Sequence, residues 1–174
     1  MSSSLNTADM LEWALRVCQS VAFFLHGILG MTEPWTGCLR HAFRDTHGGM
    51  PVWSWPVAGI LLWTVAIANF SSNGKVILAA QAYIAAFHMG GVFYHIRLQH
   101  HPVAGCAPAV FAVLATIIVA IRLRSFVVAL VGWLLCTMIA YFLSLLLVTP
   151  PPDREEEKNL LEEQGHSAQD IPRE

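Results

Sequence analysis

The chain has 174 residues, of which 55% are hydrophobic and only 13% are charged, and its formal net charge is −2. Soluble domains carry about 25% charged residues, so this composition is typical of a protein that places most of its length in lipid. A net charge close to zero, without a basic patch, argues against a partner that is a nucleic acid.

Five apolar runs, each near the ~20 residues that cross the hydrocarbon core of a bilayer, account for most of the chain. They predict helices over about residues 8–31, 56–70, 75–98, 103–123 and 126–148. The predicted fold class is therefore all-α, an integral membrane helical bundle in residues 1–148 that is followed by an acidic polar tail in residues 149–174. With five crossings, the two termini are expected on opposite sides of the membrane.

The first run carries Arg16, Gln19 and His26 on one helical face. An arginine in lipid is unfavourable, so Arg16 should either extend toward the nearer interface or pair with Glu12 one turn earlier. Pairing is the simpler interpretation.

The third run carries Gln81, His88 and His95, which are spaced by seven residues and so lie along one stripe of a helix. Polar groups at membrane depth usually face a bundle interior, a partner or a cavity. We therefore predict a polar stripe inside the bundle that includes Arg16, Gln19 and Gln81.

The histidines allow several interpretations. His26 together with His88 or His95 could hold a haem b or a quinone as a cofactor, or several histidines could bind copper or zinc. The simpler interpretation, which we favour, is that each histidine makes an interhelical hydrogen bond or meets interfacial water and that no cofactor is bound. A proton or small-molecule path along the stripe is a third possibility.

Two segments outside the apolar runs predict partner contacts. The long connection after the first helix contains Trp35, Trp53 and Trp55, which suit a membrane–water interface. The tail concentrates acidic side chains at Asp153, Glu155, Glu156 and Glu157. Nucleophile motifs, phosphate-binding loops and paired carboxylates are missing from the apolar region, which argues against a hydrolase or a transferase.

Residues 11–123 resemble the DoxX-like superfamily of small four-helix membrane proteins. The resemblance lies in Arg16, Gly27, Gly59, a histidine that closes the third helix, and the segments ALRVCQSVAFFLHGILG, PVAGILLWTVAIANF, ILAAQAYIAAFHMGGVFYH and PAVFAVLATIIVAIRL. Family members often have a Glu after the glycine of the second helix, whereas here Gly59 is followed by Ile60. The fifth helix and the tail lie outside the resemblance.

The resemblance implies a four-helix core to which the fifth transmembrane helix is added. Some members are similar to small membrane subunits of thiosulfate:quinone oxidoreductase, and others act as assembly factors for membrane complexes. We expect a non-catalytic accessory, assembly or structural subunit of a larger membrane complex, whose partners are the lipid bilayer and other membrane proteins. A haem- or quinone-binding redox subunit is the alternative, and a small transporter is the third hypothesis.

Overall fold

The computed structural model describes residues 6–42 and 52–149. Within these two ranges the chain forms helices and no strand. The helices are α1 (Thr7–Thr36), α2 (Cys38–Ala42), α3 (Ser54–Ala68), α4 (Gly74–Arg97), α5 (Cys106–Leu123) and α6 (Phe126–Leu147), and a 3₁₀ turn at Pro102–Gly105 precedes α5. The predicted all-α class is confirmed.

Four of these helices are long and apolar enough to cross a membrane: α1, α4, α5 with its preceding 3₁₀ turn, and α6. The remaining apolar helix, α3, has 15 residues. At 1.5 Å per residue it is about 22 Å long, which is shorter than the ~30 Å hydrocarbon core. The chain is thus an integral, multi-pass membrane protein by the length and composition of its helices.

The five apolar helices α1, α3, α4, α5 and α6 run in alternating directions. The α1–α3 pair is antiparallel, since Ser20 bonds the carbonyl of Ala66 and Arg16, one turn earlier, bonds that of Asn69. In the same way α5 returns along α4, with Gly91 beside Pro108. We call the end of the bundle at which α1, α4 and α6 begin end A, and the end at which they finish end B.

The core of the bundle forms where α1, α3, α4 and α5 meet. It consists of Phe23, Leu62, Val65, Ala66, Ala80, Ile84, Ala85 and Ala115, and Trp133 and Cys136 of α6 pack against its edge. The many alanines allow the helix backbones to approach closely, which is how helices gain packing energy in lipid.

Glycines let α1 and α3 come nearer still. A Cβ atom on Gly59 would lie 2.7 Å from the carbonyl oxygen of Gly27, and one on Gly30 would lie 2.8 Å from that of Trp55. Because these neighbours are backbone atoms, they cannot rotate away. Two of the glycines that carry the family resemblance, Gly27 and Gly59, therefore have a direct role in packing.

The first helix was predicted to end near residue 31, but α1 continues through Pro34 to Thr36. A proline inside a helix removes one backbone hydrogen bond and does not always end it. The helix stops only at Gly37, whose φ of 63° is the left-handed conformation that glycine adopts without strain.

Candidate functional site

Three uncharged amide side chains form the centre of a polar cluster in the half of the bundle nearer end A. Gln19 of α1, Asn69 at the end of α3 and Gln81 of α4 are each 0% exposed. Gln81 Nε2 donates to Gln19 Oε1 at 2.9 Å and to Asn69 Oδ1 at 2.7 Å, and Asn69 Nδ2 donates to Gln19 Oε1 at 2.9 Å. We call these three residues the amide triad, and they join three helices.

Neighbouring side chains of α1 extend the triad to the end of α3. Ser20 Oγ accepts a hydrogen bond from Asn69 at 3.1 Å and donates to the carbonyl of Ala66 at 3.3 Å. Arg16 donates to the carbonyl of Asn69. The last carbonyls of a helix lack partners within it, so α1 supplies partners to α3.

A charged cluster lies beyond the triad, closer to end A. The carboxylate of Glu12 is buried, and its Oε1 lies 3.0 Å from Nε of Arg16 and 2.9 Å from both Nε and Nη2 of Arg122. The predicted pairing of Arg16 with Glu12 is confirmed. Sequence reasoning did not find the second partner, because Arg122 is 110 residues away in the chain.

The chemistry of the amide triad suits it to holding helices together and not to transferring protons. An amide neither gains nor loses a proton near neutral pH, so a chain of amides cannot act as an acid or a base. Its hydrogen bonds are short, and their donors and acceptors come from different helices, which favours a single arrangement of α1, α3 and α4. Two outer atoms, Gln19 Nε2 and Gln81 Oε1, have no partner among the residues that the structure describes.

His88 lies among aromatic rings in the core. Its Nδ1 is 2.8 Å from the carbonyl oxygen of Ile84, one turn earlier in α4. Its ring stacks on Phe23 with centroids 5.3 Å apart and lies 5.2 Å from the ring of Phe111. This hydrogen bond of His88 lies within its own helix and is not the interhelical bond that the sequence predicted.

His95 lies two turns further along α4, at end B. It is 9% exposed, and its Nδ1 lies 2.9 Å from Nδ1 of His100. The chain turns back between them because Gln99 has a φ of 53°, which lets the backbone N–H of His100 bond the carbonyl of His95 at 3.0 Å. His100 was not predicted as a site residue, since a turn with a left-handed glutamine has no reliable sequence signal.

The three histidines named as cofactor ligands lie on two helices, α1 and α4. His26 is exposed on α1, while His88 and His95 are about 10 Å apart along α4 by helical rise. Rings of the core cover His88, and His95 is engaged with His100. Residues 6–42 and 52–149 contain no group of three or more His, Cys, Asp or Glu arranged to hold a metal ion.

The tryptophans named as partner contacts differ in exposure. Trp35 and Trp53 are 83% and 68% exposed, as expected for an interfacial surface. Trp55 is 8% exposed, so this chain itself covers most of the side chain, in contrast to the other two tryptophans. It packs at the level of Gly30, where the missing side chain leaves room for α3. Asp153, Glu155, Glu156 and Glu157 lie outside the described residues.

Comparison with family models, with curated proteins and with solved structures finds no match to this chain. The class of the protein rests on its own helices. It is a multi-pass α-helical membrane protein, and its described residues include two polar clusters, the amide triad with its charged neighbours toward end A and the histidines of end B.

Proposed function

We propose that the protein is a non-catalytic accessory or structural subunit of a larger membrane complex and that it acts through its outer surface. The observation that carries the proposal is that its buried polar groups bond mainly to one another. Gln19, Asn69 and Gln81 hold three helices together, and Glu12 is neutralised by two arginines. A catalytic centre instead needs polar groups that converge on a space for substrate.

The surface of α6 is the largest candidate for a contact with a partner. Only Ala129, Ala140 and Ser144 of this helix are buried. Large apolar side chains cover the opposite face and are exposed, among them Leu134, Leu135, Met138, Ile139, Phe142 and Leu146. Helices pack in membranes through van der Waals contact, and a face of this size can pack against another transmembrane helix.

The exposed tryptophans at end B add a second element. Trp35 and Trp53 flank the connection between α1 and α3 and expose most of their ring surface. Tryptophan is enriched both at membrane interfaces and at the energetic centres of protein interfaces. The resemblance to DoxX-like proteins, some of which are assembly factors, supports the same function.

The proposal is tested by measuring the native size of the protein after extraction in a mild detergent, with mass spectrometry of the proteins that co-migrate. We expect a large assembly. A triple variant, Leu135→Ala, Ile139→Ala and Phe142→Ala, trims one face of α6 and should release the protein from that assembly. The matched control trims an exposed face of α5 by Val110→Ala, Val113→Ala and Ile117→Ala and should leave the assembly intact.

Membrane fractionation checks that both triple variants insert. A wild-type protein that migrates as a monomer or a dimer contradicts the proposal. Equal release by the α5 and α6 variants contradicts the assignment of the contact to α6.

A further inference from the structure

The lysine and arginine side chains that the structure describes differ in whether the protein itself binds them. Arg16, Arg97 and Arg122 each bond an acceptor within the bundle. Lys75 and Arg124 are exposed, and neither has a hydrogen-bond or ion-pair partner among the described residues. Both lie at end A, because Lys75 is in the first turn of α4 and Arg124 directly follows the last residue of α5.

Arg122 connects these two unpaired side chains. Its Nε and Nη2 both lie 2.9 Å from Oε1 of Glu12, so the guanidinium is held in one orientation by that edge. A Cβ atom on Gly74 would lie only 3.2 Å from Nη1 of Arg122, which places Nη1 beside the residue that precedes Lys75. Arg124 lies two positions after Arg122 in the chain. We call Lys75, Arg122 and Arg124 the basic patch, and it lies where α4 begins and α5 ends.

The protein does not neutralise the positive charge of this end. Among the described residues at end A, basic side chains outnumber acidic ones by four to two. The acidic ones are Glu12, which already pairs with two arginines, and Asp9 in the first turn of α1. The guanidinium of Arg122 has N–H groups on Nη1 that point away from the edge bound to Glu12, and arginine binds phosphate oxygens through such groups.

The depth of the basic patch is that of lipid headgroups. Helix α4 has 24 residues, so its length of about 36 Å exceeds the ~30 Å hydrocarbon core, and its first turn extends into the headgroup layer. Basic side chains at this level attract anionic lipids.

Apolar side chains beside the basic patch suit the rest of a lipid molecule. Phe126 and Val127 form the first turn of α6, directly after the connection that contains Arg124, and they are 68% and 69% exposed. A phospholipid has acyl chains that such a surface can contact, whereas inorganic phosphate has no apolar part.

We propose that Lys75, Arg122 and Arg124 bind the phosphate group of one anionic phospholipid in the leaflet at end A. The acyl chains of this lipid lie along the first turn of α6. Glu12 holds Arg122 in position for the phosphate. The site is separate from the proposed interaction surface on α6, which begins two turns further along that helix.

The experiment uses the purified full-length chain in detergent, and native mass spectrometry measures its binding of dioleoylphosphatidylglycerol and of dioleoylphosphatidylcholine. The two lipids have the same acyl chains, but only the first has a net negative charge. We expect one phosphatidylglycerol per chain, bound at least about tenfold more tightly than phosphatidylcholine. Lys75→Gln and Arg124→Gln should each weaken this binding about fivefold, which is the attraction of one basic side chain for anionic lipid.

Arg97→Gln is the matched control, because it removes the same charge at end B, where Arg97 bonds the carbonyl of Val148. It should leave the affinity for phosphatidylglycerol unchanged. Lys75 and Arg124 are exposed and unpaired, so their variants are expected to fold, and elution in detergent checks this.

Equal binding of the two lipids by the wild-type protein overturns the proposal. An equal loss from Arg97→Gln also overturns it, since binding would then depend only on the total charge of the chain. Inorganic phosphate is the third probe. If it displaces phosphatidylglycerol at millimolar concentration, the patch is a site for a free phosphate ion, and the assignment to a lipid is wrong.

Discussion

Replacing Gly59 by alanine tests whether the close approach of α1 and α3 determines the stability of the bundle. The added Cβ atom would lie 2.7 Å from the carbonyl oxygen of Gly27 and 2.9 Å from the backbone nitrogen of Met31. Ordinary contacts of this kind begin near 3.4 Å, so the two helices must separate by about 0.7 Å. Overpacking of this size destabilises proteins by about 1–3 kcal/mol, against a gain of up to about 1 kcal/mol from the higher helix propensity of alanine.

We therefore expect Gly59→Ala to lower the free energy of unfolding by about 1–2 kcal/mol. The assay is unfolding of the purified protein in mixed micelles by titration with sodium dodecyl sulfate, followed by tryptophan fluorescence. Gly132→Ala is the matched control, because a Cβ atom at Gly132 of α6 meets no atom within 4 Å. It should raise the stability by roughly 0.5–1 kcal/mol through helix propensity alone. If the two variants unfold with the same free energy, the argument from the α1–α3 contact is refuted.

Two further predictions concern the polar groups of the bundle, and the same unfolding titration measures both. Gln81→Leu leaves the side-chain oxygen of Asn69 without its donor and should destabilise the protein by about 1–3 kcal/mol. The control Thr116→Val removes a hydroxyl that bonds only within its own helix and should change the stability by less than about 0.5 kcal/mol, so equal losses would exclude a special role for the triad. Glu12→Ala should be more harmful than Arg122→Ala, because the first leaves two arginines facing each other without a carboxylate, whereas the second leaves one pair intact. The opposite order would show that Glu12 is not the centre of the cluster.

The helical class and the depth of several polar residues could be predicted from the chain because lipid imposes a strong local rule. Every backbone polar group must be satisfied within the bilayer, so long apolar runs become helices whatever their neighbours are. The same rule places an isolated glutamine on an inward face, and both Gln19 and Gln81 are fully buried. The pairing of Arg16 with Glu12 was also predictable, since it requires only the spacing of one helical turn.

The partners of these groups could not be predicted in the same way. Asn69 was assigned to the end of the second helix without a function, and it lies 50 residues from Gln19. Arg122 lies at the end of the fourth predicted helix, yet it completes the charged cluster of Glu12 near the start of the first. Hydrogen bonds and ion pairs of this kind depend on where α3 and α5 pack when they return across the bundle. A local sequence pattern does not predict that packing.

At end B, the structure differs from the predictions made from the sequence at two places, and at both the cause is an unusual local backbone conformation. Pro34 and the neighbouring polar residues indicated the end of a helix, but the loss of one hydrogen bond is small enough for α1 to continue to Thr36. The left-handed turn at Gln99 brings His100 onto His95, although glutamine rarely adopts this conformation.

The sequence by itself determined that this is an all-helical protein of the membrane, because the hydropathy and length of each run decide that question one helix at a time. Only the tertiary structure decided which polar groups of different helices meet. The amide triad and the three-residue ion cluster each join segments whose separation depends on how the helices pack, and that packing is set by contacts such as that of Gly27 with Gly59.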